Sequence, residues 1–226
     1  MANVNPWLEA LLDLVYPPLA DAGEPEPLAE PFCRRCGESF AAGPLEEIVC
    51  TNCRGQKWWI ECARAPYRAV GPVRHAVHGF KYRGQFHRLP QIARWMEEGY
   101  RRFYAHGGEP WQGLVPVPLH PARQREREFN QAHELARLLA RSTGLKLFPA
   151  LERVRPTATQ ARLRRSERLR NLQGAFRIRK GFDARGMRLL LLDDVLTTGA
   201  TVNACARVLV EDGGAARVAA LTVARG

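Results

Sequence analysis

At 226 residues the chain is long enough for one good-sized α/β domain and a small appendage. Its 34 Lys and Arg against 23 Asp and Glu give a formal charge of +11, all of it in one stretch: residues 121–180 hold sixteen basic and five acidic side chains, and the remaining eighteen of each sign cancel. No apolar run approaches the roughly twenty residues of a membrane span, which speaks against a membrane-spanning class, and the amino end lacks the basic start of a signal peptide, so the cytoplasm is the expected compartment.

The first segment, MANVNPWLEALLDLVYPPL, carries Trp7, Leu8, Leu11, Leu12, Leu14 and Val15 with Glu9 and Asp13, a short amphipathic helix expected to pack on the protein or on a partner. The proline-rich, acidic DAGEPEPLAEP that follows reads as a linker, so residues 1–31 form one unit. Next come Cys33-x2-Cys36, thirteen residues, and Cys50-x2-Cys53. Two such knuckles present four thiolates to one tetrahedral ion, a structural zinc site. Paired disulfides do not suit a reducing compartment, and a redox Cys-x-x-Cys needs no duplicate. Residues 32–70 are therefore the expected zinc ribbon region. Arg34, Arg35, Arg54, Lys57, Trp58 and Trp59 lie around the knuckles. Cations beside aromatic rings suit contact with single-stranded DNA, and two tryptophans after a ribbon equally suit sealing its core. Cys62 and Cys205 have no knuckle partners and are expected to be buried free thiols.

Residues 73–104, including VRHAVHGFKYRGQ and LPQIARWMEEGYRRF, look largely helical. His75 and His78 stand three apart without a second ligand pair, which makes them ordinary surface or partly buried histidines. After the turn AHGGEP, the run GLVPVPLHPARQREREFNQAHELARLLARSTG supplies a short apolar strand, a proline-punctuated loop and a helix. That helix gathers Ala132, Leu135, Ala136, Leu138 and Leu139 on one side and ends at Gly144. The segment PTATQARLRRSERLRNLQG, 156–174, carries Arg162, Arg164, Arg165, Arg168 and Arg170 with few apolar anchors. It suits a lid that closes over an anion, or an exposed helix. The dense arginine of 121–180, nearly without lysine, favours anion binding over a merely solvated face, the anion being pyrophosphate or nucleic acid.

The final unit, LLLLDDVLTTGAT, begins with Leu189, Leu190, Leu191 and Leu192, a strand covered on both faces in a parallel sheet. It reaches Asp193 and Asp194, then a loop, then a helix from Thr201 with Val202, Ala206, Val208 and Leu209 near helical spacing, stopped by Gly213-Gly214. A loop between a strand's carboxyl end and a helix's amino end is where open α/β sheets bind ligands. Unpaired N–H groups and the helix dipole suit a phosphate there, the hydroxyls of Thr197, Thr198 and Thr201 add donors, and Gly199 permits close backbone approach. Carboxylates beside it can accept hydrogen bonds from vicinal sugar hydroxyls or hold hydrated Mg²⁺. The ligand so described is a sugar phosphate.

DDVLTTGAT resembles the phosphoribosyl diphosphate (PRPP) loop of type I phosphoribosyltransferases. Together with the paired knuckles, HGFKYRG, VPVPLHPARQREREFNQA and TATQARLRRSERLRNLQGAF, it resembles the ComF family of competence proteins, which includes ComFC-type DNA-uptake proteins and GntX-type proteins. The likeness runs from Cys33 to Thr222, with one departure: Glu128 stands where the family commonly has glycine. The resemblance implies a zinc ribbon joined to a type I phosphoribosyltransferase-like α/β domain, here 71–226. It also implies a role in natural transformation, helping incoming single-stranded DNA at the cytoplasmic side of the inner membrane, peripherally through a ComFA-like helicase or ATPase partner. Asp193 and Asp194 would then hold the ribose hydroxyls of PRPP and act in any catalysis, with Mg²⁺ expected alongside. Val195, Thr197, Thr198, Gly199, Ala200 and Thr201 would form the phosphate cradle, His120 and Arg123 the pyrophosphate loop, and Arg164, Arg165 and Arg168 the lid. An active phosphoribosyltransferase acting on a nucleobase-like acceptor is the alternative function, and a homodimer a further expectation.

Overall fold

Four consecutive leucines make the centre of the sheet. In the computed structural model, which describes residues 23–40, 48–106, 108–155 and 172–226, Leu189 to Leu192 are each fully buried. Leu189 and Leu191 join the apolar cluster on one face, and Leu190 and Leu192 the cluster on the other. Alternation of side chains along a strand sends neighbours to opposite faces, so an unbroken apolar run needs cover on both. Each buried leucine contributes roughly 2 kcal/mol.

The strands, in chain order, are β1 (Ala63–Arg64), β2 (Tyr67–Arg68), β3 (Gly113–Pro116), β4 (Lys146–Leu147), β5 (Leu151–Arg153), β6 (Phe176–Ile178), β7 (Arg188–Leu196) and β8 (Arg217–Arg225). The helices are α1 (Gly71–Tyr82), α2 (Leu89–Phe103), α3 (Pro121–Arg127), α4 (Gln131–Thr143) and α5 (Ala200–Arg207). The main sheet runs β1-β8-β7-β3-β4, with β2 also on β8, and every pair is parallel. Helices α1, α2 and α4 supply Phe80, Ile92, Met96 and Leu135 to one face, and α5 supplies Val202, Cys205 and Ala206 to the other. A separate antiparallel pair, β5-β6, lies off this sheet.

Three local features differ from a plain reading of the sequence. The strand expected to stop at the acidic pair continues to Leu196, because β8 runs beside it in register through Asp193↔Thr222, Val195↔Ala224 and Leu196↔Arg225. The last residues of the ribbon region 32–70 enter the main sheet, with Ala63 paired to Ala220 and Tyr67 to Ala224. Glu128, at the carboxyl end of α3, takes a left-handed conformation with φ 66°, which L side chains avoid and glycine does not. The helix expected near the amino end and the arginine-rich segment with Arg164, Arg165 and Arg168 lie outside the described residues. No helix among the described residues is long and apolar enough to cross a membrane.

Candidate functional site

The extension of β7 carries Asp193, Asp194, Val195 and Leu196 to the carboxyl edge of the sheet, where the chain turns through Thr197 and Thr198 into α5. Gly199 caps that helix in the left-handed region with φ 75° and ψ 0°. The Thr198 hydroxyl accepts the Ala200 N–H at 3.4 Å. These residues wall a cavity of about 310 Å³. Val195, Thr197, Thr198, Gly199, Ala200 and Thr201 all line it beside both aspartates, so the whole cradle named from the sequence opens on one space.

Across the cavity stands Lys81, in the last turn of α1. Its Nζ donates to Asp194 Oδ1 at 2.8 Å and lies 2.6 Å from Oδ2, with the Asp194 side chain only 6% exposed. Val77 and Phe80 face the core, which leaves Lys81 at the border of the buried stripe, its stem covered and its ammonium on the cavity. Burial works against the lysine charge, but Asp194 and Asp193 outweigh it and hold the ammonium above its ordinary range. Asp193 is shifted the other way: burial first, then the neighbouring Asp194, push its carboxyl from 3.8 up to about 7 against the pull of Lys81 and Arg153. Its Oδ1 accepts the Asp194 N–H at 2.9 Å.

The remaining walls come from the loop after β3 and from β5. Arg123 lines the cavity. His120, named with it, caps α3 by accepting the Ala122 N–H on Nδ1 at 3.2 Å. Asn130, also on the cavity, caps α4 through Oδ1 at 3.0 Å from the Ala132 N–H and ties the loop back by donating to the Val117 carbonyl at 3.1 Å. Arg153 projects from β5, where burial lowers its guanidinium below the ordinary range. Lys81, Arg153 and Asn130 were not singled out from the sequence. Lys81 is 113 residues from its partner, and the motif containing it, HGFKYRG, reads locally only as helix.

The four ribbon cysteines come together as the spacing requires. Cys33, Cys36, Cys50 and Cys53 are buried, carry no disulfide, and have their Sγ atoms all within 4.8 Å of one another. Burial first, then the nearby thiols, push Cys36 up to about 11 and Cys53 higher. At Cys33 burial is outweighed by the N–H groups of Cys36, Cys50 and Arg35, which bring it down to about 7. Four thiolates cannot share this volume without a cation among them, so the set fits a metal ion such as zinc.

Trp58 connects the two sites. It packs against the cysteine cluster and against the main core, and its ring lies on Gly199. Asn203 of α5 fixes the same segment, accepting the Trp59 N–H on Oδ1 at 2.6 Å and donating to the Lys57 carbonyl at 3.0 Å. Lys57 Nζ sits 3.9 Å over the Trp59 ring. On the far side Arg225 reaches the Leu196 carbonyl at 3.3 Å and pairs with Glu38 of the ribbon. Both tryptophans are half-buried, while Arg34, Arg54 and Lys57 are exposed and Arg35 donates to the Glu61 carbonyl at 3.3 Å.

No protein-family model matches the chain. It is similar to competence protein ComFC of Bacillus subtilis (strain 168), 32% identical over 200 residues that cover 86% of this chain and 78% of that protein. It is 31% identical to competence protein F of Haemophilus influenzae over 186 residues, 79% of this chain and 78% of that one. To the DNA utilization protein YhgH of Salmonella typhi it is 40% identical over 103 residues, 45% and 44% of the two chains. Among solved structures, an adenine phosphoribosyl transferase from Trypanosoma brucei aligns at 17% identity and a TM-score of 0.38, over 60% of this chain and 55% of that one.

Proposed function

The chain belongs to the ComF family of competence proteins, and from that premise we propose that it serves natural transformation, assisting uptake or handling of incoming single-stranded DNA with a PRPP-binding site in its α/β domain. The observation that carries the ligand is that Asp193, Asp194 and the Thr197–Thr201 loop at the amino end of α5 wall one shared cavity. The 5′-phosphate would sit on the loop's N–H groups and hydroxyls, with the helix dipole behind it. The aspartates would accept the vicinal ribose hydroxyls, and Arg123, Arg153 and Lys81 would face the diphosphate. Any Mg²⁺ would enter on the diphosphate oxygens rather than on the acidic pair, where Lys81 already stands. A zinc ion held by Cys33, Cys36, Cys50 and Cys53 would fix the ribbon.

The DNA half of the reading is supported by the charge of +11 and by Arg34, Arg54 and Lys57 exposed on the ribbon. Trp58 packs on the cysteine cluster and Gly199, so contact there would rest mainly on these cations and the phosphate backbone, steep in salt and indifferent to sequence. A ComFA-like helicase or ATPase remains the proposed partner, on family likeness.

A second reading, an active phosphoribosyltransferase, is favoured by Asp193: a carboxyl brought to about 7 is suited to exchanging a proton near neutrality. Titration calorimetry of PRPP into zinc-loaded protein, followed by a pyrophosphate-release assay over a panel of nucleobases, tests both. Binding without release supports the ligand-gated uptake factor. Nucleobase-dependent release supports the enzyme, and no binding refutes the site.

A further inference from the structure

The Lys81 ammonium stands where a cation bound to this acidic pair would stand. It spans both oxygens of Asp194, at 2.8 and 2.6 Å. The pair is held in place on both sides: Asp194 lies in the continuous strand β7, and Lys81 closes α1, whose carboxyl end carries the negative pole of the helix dipole. The Lys81 side chain is 22% exposed and Asp194 6%, so the contact is largely shielded from water, and removing either partner would leave the other charge buried and uncompensated.

The charge around the cavity points the same way. Among the described residues, the charge-bearing side chains on its walls are Lys81, Arg123 and Arg153 against Asp193 and Asp194, so the cationic groups already outnumber the carboxyl groups. A divalent ion added beside Asp194 would meet the ammonium within a few ångströms, a repulsion that grows as water is excluded. A polyanion would meet a wall whose net charge is positive, with Asp194 already paired to Lys81. An ammonium also has three N–H donors, and one carboxylate engages at most two, which leaves one for a phosphate oxygen.

We propose that Lys81 takes the place of a divalent cation at the acidic pair, neutralising Asp194 and donating to the diphosphate, so that a phosphoribosyl diphosphate binds here without an obligatory metal ion. This rests on the PRPP reading of the cavity. It departs from the Mg²⁺ requirement expected at a pair of unpartnered carboxylates, because here one carboxylate is already paired.

The experiment is calorimetric titration of PRPP into the full, zinc-loaded chain in buffer freed of divalent ions by a chelating resin, repeated with millimolar Mg²⁺. Wild-type affinity should agree between the two buffers within about threefold, which is under 1 kcal/mol. Lys81→Met should lose at least about tenfold in the metal-free buffer, the scale of one charge-assisted hydrogen bond, and recover on Mg²⁺. Lys81→Arg should behave as wild type. Wild-type binding that collapses without Mg²⁺ would overturn the inference and leave the PRPP site standing, as would a Lys81→Met loss of equal size in both buffers. Absence of wild-type binding in both buffers would remove the PRPP site itself. Should Lys81→Met fail to fold, the two wild-type titrations alone decide.

Discussion

The indole ring of Trp58 lies directly on Gly199. A Cβ built at Gly199 would come within 2.7 Å of the ring's Cη2 and 2.9 Å of its Cζ3, closer than carbon atoms approach. A residue of the ribbon region thus sets the height of the loop that would hold phosphate, and Gly199 is required twice over, for its φ of 75° and for this contact. Trp58→Ala should cost roughly 2 kcal/mol, less than a fully buried tryptophan because the ring is half-buried, and should weaken PRPP binding about tenfold with zinc retained. Urea unfolding, calorimetry and metal analysis measure the three effects, and unaltered ligand affinity in a destabilised variant would uncouple ribbon from loop.

Metal content gives a second prediction. Freshly reduced protein should contain one zinc per chain, held by the four cysteines whose sulfur atoms lie within 4.8 Å of one another. Cys50→Ser or chelation should release it, and because Trp58 packs against both the cluster and Gly199, PRPP affinity should fall as zinc leaves. Metal analysis finding no zinc in the reduced wild type would refute the assignment.

Asp193 makes stability fall with rising pH. Its folded-state value of about 7 lies above its ordinary 3.8, so the folded chain binds the extra proton more tightly than the unfolded one. The contribution is full below about pH 4 and is lost progressively toward pH 7. Asp193→Asn removes the titration, and its melting temperature should exceed wild type at pH 8 while the difference shrinks toward pH 4. The same variant should bind PRPP more weakly at pH 8, because an amide is a poorer acceptor for ribose hydroxyls than a carboxylate. A wild-type and variant pair with parallel melting profiles over this range would contradict the assignment of the shift to Asp193.

Glu128 holds a left-handed turn with a side chain, φ 66°. Glu128→Gly should stabilise the protein by about 0.5–1 kcal/mol, the relief of left-handed strain less the extra chain entropy of glycine, read as a higher urea midpoint at unchanged slope.

What the sequence disclosed about this molecule was local, and what it withheld arises from distance. The leucine run, the acidic pair, the threonine loop and the two knuckles are each contiguous, and each chemistry is legible in a few residues. Gly144 ends α4 in the left-handed region with φ 75° as its position suggested. Lys81 and Arg153 reach the cavity only because α1 and β5 fold toward the edge of β7, which no nearby residue signals. The extension of β7 to Leu196 is likewise a property of its neighbour β8. The tryptophans fit two readings because packing and stacking use the same face of the ring, and the contact of Trp58 with Gly199 shows the packing role for that ring alone.

The central claim is that Asp193, Asp194 and the threonine loop form a PRPP site, and calorimetry of PRPP with the double variant Asp193→Asn, Asp194→Asn tests it most directly. Wild type should bind, and the folded, zinc-loaded variant should bind at least about a hundredfold more weakly, the scale of two charge-assisted hydrogen bonds. Equal affinity in the two proteins would contradict the account.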